Sequence, residues 1–181
     1  MLTFNAYPSK LDSSINYVCD LGEDGIIECR YVKRSEKNHH NIYLSAQTYC
    51  AQGCLFCHLT ATKQTKGREI TTEEIADQAE TVMRDILGKP QYELQRYTTF
   101  SDEIHFLFMA RGDVLASTIP ERWKEVCEAI DERVIKCGFD PQKVQFKIST
   151  IFPKYYTKKY GLELTTYFMN NIKQRHWPIF Y

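Results

Sequence analysis

The sequence predicts an α/β fold: a partial (β/α) barrel of parallel strands, preceded by an N-terminal β-hairpin. Three observations predict it. After residue 40, strand-like and helix-like segments alternate as β-α-β-α-β-α-β, an order that right-handed crossovers lay down as a parallel sheet. The run from Ile104 to Met109 (IHFLFM) is apolar almost throughout, as a strand covered on both faces would be. Upstream, INYVCDL and IIECRYVK flank Gly22-Glu23-Asp24-Gly25, two β-rich runs around a turn that needs positive φ.

The elements follow in order. Ile15 to Lys33 is the hairpin, its Asp24-Gly25 pair placed for a tight turn, and Ser35 to His40 is a polar loop. Asn41 to Gln47 is a short β-like run that ends where a cysteine-rich loop begins, and the loop lasts to about Arg68. Thr71 or Thr72 caps a helix with Glu73 and Glu74 in its first turn, where the helix dipole favours negative charge. Ile75, Ala79, Val82 and Ile86 share one face of that helix, which runs to Leu87 and stops at Gly88-Lys89-Pro90. A glycine-containing loop, Ala110 to Ser117, follows the apolar strand. Pro120 fits the first turn of a second helix that reaches Cys137 and ends at Gly138. Val144 to Ser149 is a third parallel strand, Gly161 to Lys173 a third helix, and Trp177 to Tyr181 reads as the start of a fourth buried strand.

The chain has 181 residues, enough for one core. The expected division is 1–40 for the hairpin extension and 41–181 for the incomplete barrel. Barrels of this kind use about 250 residues for eight units, so the segment after the hairpin supplies three to four. The last strand then has an open edge, which a second chain or a dimer mate would cover. Lys+Arg 23 balances Asp+Glu 23, which excludes a strongly basic nucleic-acid binder and an acidic tail but not a local patch. No apolar run reaches a membrane span, and the N-terminus lacks a secretory pattern. An odd count of 7 cysteines without such a signal argues for a reducing, cytoplasmic setting.

Three of those cysteines crowd together. Cys50, Cys54 and Cys57 form C-x₃-C-x₂-C on a loop leaving a strand. Three thiolates on one loop can hold three corners of a [4Fe–4S] cluster and leave the fourth iron open to a small molecule. The competing reading is structural zinc, which wants four ligands; His58 is the nearest fourth, and no second ligand pair follows downstream. Cys19, Cys29, Cys127 and Cys137 read as small core residues, and His105, in an apolar strand, as a satisfied core histidine. Gly112-Asp113 alone reads as a turn after a strand, and Arg111-Gly112-Asp113, which spells an adhesion tripeptide, carries no weight here.

The cysteine spacing, with Phe56 before the last cysteine, resembles the signature of the radical S-adenosylmethionine (SAM) superfamily. Four blocks in order resemble its RlmN/Cfr-type RNA adenine methyltransferases: DGIIECRYV, YLSAQTYCAQGCLFC, FLFMARGDVLAS and FKISTIFP. The resemblance implies a cluster on Cys50, Cys54 and Cys57 that binds and reductively cleaves S-adenosyl-L-methionine. It implies cofactor contacts from Phe56, Gly112, Asp113 and Ser149, with Gly112-Asp113 at the cofactor's amino end, and Glu28 as proton acceptor. It further implies a flavodoxin- or ferredoxin-type electron donor and, as activity, methylation of an RNA adenine.

The chain departs from that pattern at several points. The cysteine that resolves a covalent RNA adduct in the family lies seven residues before the first cluster cysteine, where this chain has Tyr43. The methyl-carrying cysteine and the next cofactor-binding segments would fall beyond Tyr181, and Val114 replaces a proline. RNA contact has two candidate patches, Lys154 to Tyr160, which interleaves cations with aromatics, and Lys63, Lys66 and Arg68. Two alternatives stay open: a radical SAM enzyme for another substrate, and a non-catalytic remnant that binds RNA or a partner chain.

Overall fold

The structure, a computed structural model, describes residues 2–33, 39–88, 103–153 and 174–180. Among the described residues, seven strands form one sheet in chain order: β1 (Asn5–Pro8), β2 (Ile15–Asp20), β3 (Ile26–Lys33), β4 (His39–Leu44), β5 (Glu103–Phe108), β6 (Val144–Ile148) and β7 (Ile179–Phe180). Neighbours are antiparallel from β1 to β4 and parallel from β4 to β7. The hairpin is therefore continuous with a parallel sheet of the partial-barrel type. The helices among the described residues are α1 (His58–Ala61), α2 (Thr72–Gly88) and α3 (Trp123–Lys136).

The expected hairpin pairs in register, with Tyr17 opposite Cys29 and Cys19 opposite Ile27. Its turn is longer than the Asp-Gly pair suggested. A 3-10 turn, Gly22–Asp24, sits inside it, and the Leu21 N–H donates to the Gly25 carbonyl at 2.9 Å. The Asp20 carboxylate accepts from the Gly22 N–H at 2.8 Å, which favours the tighter coil. β1 has no clear signal in the sequence because all four of its residues are exposed, so no alternation marks it. Pro8 is tolerated there because β1 lies at the edge of the sheet.

β4 ends at Leu44, not Gln47, because side chains and a neighbouring loop take over the backbone beyond it. The Ser45 N–H donates to the Gln78 side chain at 2.8 Å, and the Ala46 N–H to the Arg111 carbonyl at 2.8 Å. α2 begins with the expected cap. The Thr71 hydroxyl accepts from the Glu74 N–H at 3.2 Å, and the Glu74 carboxylate accepts from the Thr71 N–H at 2.9 Å, a reciprocal capping box. Ile75, Ala79, Val82 and Ile86 are all buried, as their spacing required.

The second helix starts later than Pro120. Ile119–Arg122 is a 3-10 turn, because the Ser117 hydroxyl accepts from the Ile119 N–H and donates to the Val114 carbonyl, bending the chain ahead of α3. Trp123 opens α3 and is 1% exposed. Its ring lies 5.2 Å from Phe108 and 5.9 Å from Phe146, and its N–H donates to the His176 carbonyl at 2.7 Å. That bond ties the approach to β7 against the core, so β7 pairs with β6 as the fourth parallel strand.

Both long helices cover the same sheet face. Tyr17 and Cys29 reach α2 through Asp85 and the Gln78 carbonyl, and Phe108 and Phe146 reach α3 through Trp123. Among the described residues, β5 is therefore backed by helix on one side. On its other face His105 is buried by stacking on His39 at 3.9 Å between ring centroids. It is satisfied there by Glu103 at 3.2 Å and Lys147 at 3.0 Å. The expected helix from Gly161 to Lys173 and the patch from Lys154 to Tyr160 lie outside the described residues. No helix among the described residues is long and apolar enough to cross a membrane.

Candidate cofactor-binding site

Ligands of open parallel sheets bind beyond the carboxyl ends of the strands, and the cysteine loop stands there. It leaves β4, and the loops following β5 and β6 face it across a cavity of about 290 Å³. The lining includes Cys50, Cys54, Cys57, Phe56, Gly112, Asp113 and Ser149. Seven of the eight candidate residues are thus brought together from three separate parts of the chain. Glu28 lies outside that lining.

The loop has its own internal order. The Cys57 N–H donates to the Cys54 carbonyl at 3.0 Å, and Cys57 begins the single turn of α1. The Cys50 N–H donates to the Gln64 carbonyl at 3.2 Å, which joins the start of the loop to its end. Leu55 and Phe56 are 99% and 89% exposed, so Phe56 forms rim and not wall. All seven cysteines are free thiols. Burial raises the Cys29 and Cys127 thiols far above the usual range, which suits inert core residues. Burial also pushes the Cys50 thiol up, and the nearby Cys57, Asp113 and Cys54 add to the shift.

Three thiols are the donor type that an iron–sulfur cluster takes. Among the described residues, no three His, Cys, Asp or Glu side chains converge closely enough to hold one metal ion. The three thiols line a common cavity. His58, the fourth ligand of the zinc alternative, is exposed and lies outside the described lining.

Gly112 is a glycine for a steric reason. Its φ is +80°, and a Cβ there would lie 2.8 Å from both Cβ and Oε1 of Gln47. Gln47 is itself buried and donates to the Glu69 carboxylate at 2.6 Å, while Glu69 accepts from the Thr118 N–H at 3.0 Å. The cysteine loop, the segment before α2 and the loop after β5 are thereby joined. Asp113 is buried and already serves three donors: the Leu115 N–H at 2.9 Å, the Thr150 hydroxyl at 2.8 Å and the Ile151 N–H at 2.9 Å. It binds the loop after β5 to the loop after β6 and lines the cavity.

No family model matches the chain. It is 30% identical over 137 residues to a probable dual-specificity RNA methyltransferase RlmN of Aquifex aeolicus, a match covering 76% of this chain and 33% of that protein. The chain belongs to the radical SAM superfamily, in its RlmN-type branch. A second protein with the same description, from Lachnoclostridium phytofermentans, is 31% identical over 78 residues, covering 43% of this chain and 21% of the relative. A radical SAM methyltransferase from Sphaerobacter thermophilus shares the fold at a TM-score of 0.53 and 17% identity, covering 81% of this chain and 38% of that one. This RlmN-type chain spans about a third or less of the length of the curated relatives it matches.

Three residues near the site were not singled out from sequence. Arg111, which carries no weight as part of a tripeptide, is 3% exposed and its guanidinium reaches Glu28 at 2.8 Å. Its signal was a cation directly between an apolar strand and the cavity glycine. Gln78 is fully buried and holds Ser45 at the end of β4; its signal was a polar residue on the apolar stripe of α2. Thr150 follows Ser149 and holds Asp113. Arg68, a candidate for a basic patch, is instead committed to Glu74 at 2.7 Å and Asp24 at 3.0 Å. Lys63 and Lys66 remain exposed.

Proposed function

We propose that this chain is a radical SAM enzyme in which Cys50, Cys54 and Cys57 hold a [4Fe–4S] cluster beside bound S-adenosyl-L-methionine. The observation that carries the reading is the shared cavity: three thiols from one loop face Gly112, Asp113 and Ser149 from two others. When bound, the cluster supplies the electron that splits SAM into methionine and a 5′-deoxyadenosyl radical. The protein's part is to bind and orient. Gly112 lets backbone approach the ligand. Asp113 offers a carboxylate to its ammonium group, and Ser149 a hydroxyl at the end of β6. Phe56 and Met109 give apolar contact at the rim and limit water.

Methylation of an RNA adenine is the substrate reading we favour, supported by the two RlmN relatives. Glu28 would act as proton acceptor from the open sheet face. A flavodoxin- or ferredoxin-type protein would deliver the electron, and a second chain or dimer mate could extend the sheet beyond β7. A different substrate for the same radical is the second reading. It is favoured by Tyr43, which occupies the position of the family's resolving cysteine and pairs with Arg30 across β3 and β4.

The test is anaerobic reconstitution followed by iron and sulfide analysis. Protein with four irons and four sulfides, absorbing broadly near ~400 nm, that releases 5′-deoxyadenosine from SAM with dithionite is expected, and Cys54→Ala should abolish both. One bound zinc with no sulfide would overturn the reading. With methyl-labelled SAM, label in RNA supports the adenine reading, while 5′-deoxyadenosine without labelled RNA supports the other.

A further inference from the structure

A buried guanidinium needs partners, because an uncompensated charge in the interior costs several kcal/mol. Arg111 takes its partners from three separate segments. Its Nη1 donates to Glu28 on β3 at 2.8 Å. Its Nε and Nη2 donate to the Thr48 carbonyl at 3.3 and 3.1 Å, two residues before Cys50. Its Nη2 also donates to the Gln64 side chain, at the far end of the cysteine loop. The Arg111 carbonyl accepts from the N–H groups of Ala46 and Gln47 at 2.8 and 3.3 Å. One residue thus grips the entry of the loop by side chain and backbone, grips its exit, and holds Glu28 in register with both.

We propose that Arg111 is a positioning residue that latches the cysteine loop shut before any cluster arrives, so that the three thiols are presented on an ordered loop. Many metal-ligand loops fold only with their metal; here the order comes from a planar fork that a lysine cannot reproduce. The Cys50 N–H to Gln64 carbonyl bond is the seam the latch keeps closed. The purpose of the latch rests on the cluster reading above, but its existence does not.

The experiment is hydrogen exchange on the full-length, metal-free chain, comparing wild type with Arg111→Met, Arg111→Lys, Gln64→Ala and Glu28→Gln. The amides of Thr48, Cys50 and Gln64 report the loop; those of Val82 in α2 and Phe106 in β5 report the core. In Arg111→Met the loop amides should exchange at least tenfold faster, with core amides changing less than twofold. Arg111→Lys should recover only part of that protection. Gln64→Ala, which keeps the buried charge paired with Glu28, should loosen the loop selectively even if Arg111→Met fails to fold. Unchanged loop exchange, or equal acceleration in loop and core, would overturn the latch. Iron and sulfide analysis separates the two proposals. A loop that depends on Arg111 in a chain that takes up no cluster overturns the proposed function alone. A loaded chain whose loop ignores Arg111 overturns the latch alone.

Discussion

Acid should weaken this fold through His105 before it touches the carboxylates. The imidazole is 4% exposed and sandwiched between neighbours on three strands: His39 of β4 stacks on it, Glu103 of β5 lies at 3.2 Å and Lys147 of β6 at 3.0 Å. Burial is the largest cause of its low basicity; His39 and Lys147 add to it against the pull of Glu103, and its pKa falls from 6.5 to about 4. The folded value is depressed, so the stabilisation is complete above pH 6.5 and is lost as pH falls toward 4, where the unfolded chain binds a proton that the native state refuses. Between pH 7.5 and pH 5 the linkage relation gives a loss of ~2 kcal/mol from this one group. His105→Gln keeps a donor and an acceptor for Glu103 and Lys147 but cannot titrate. Urea unfolding of both metal-free proteins across pH 7.5 to 4.5 isolates the effect, and the wild type should lose ~2 kcal/mol more than the variant by pH 5. Parallel pH profiles would refute the assignment of a neutral, buried His105.

Three further predictions concern the cavity and its support. Gly112→Ala places a Cβ 2.8 Å from Gln47 at a φ of +80°; it should cost about 1–3 kcal/mol and reduce iron uptake, measured by thermal melting and iron analysis. Glu80 is buried between α2 and α3 among Arg84 at 2.7 Å, Lys136 at 3.0 Å and Arg133 at 3.2 Å. Burial pushes its carboxyl up, but Lys136 and Arg84 outweigh this and leave its pKa below the usual value. Glu80→Gln should therefore cost about 1.5–3 kcal/mol at pH 7, and the difference in urea stability should shrink as pH falls through the carboxylate range. Because burial raises the Cys50 thiol and only the thiolate binds metal, anaerobic cluster loading should proceed faster at pH 8.5 than at pH 7, and the rise of absorbance with time measures it.

Much of this protein was written locally. The period of Ile75, Ala79, Val82 and Ile86, and the Thr71 and Glu74 cap, fix α2 without reference to anything distant, because helix faces and caps are made within a few residues. The three cysteines stand out for the same reason: their spacing is a property of one short segment. Family membership was legible too, since four ordered blocks run from Asp24 to Pro153. What required the tertiary structure was every relation between segments. β1 carries no alternation and exists only because β2 offers it an edge. β4 stops at Leu44 because Gln78 and Arg111 claim the backbone beyond it. Glu28 sits apart from the cavity, gripped by a cation 83 positions away, and no local pattern encodes that pairing. A buried charge must find partners wherever the fold supplies them, so its role is decided only when the chain has closed around it.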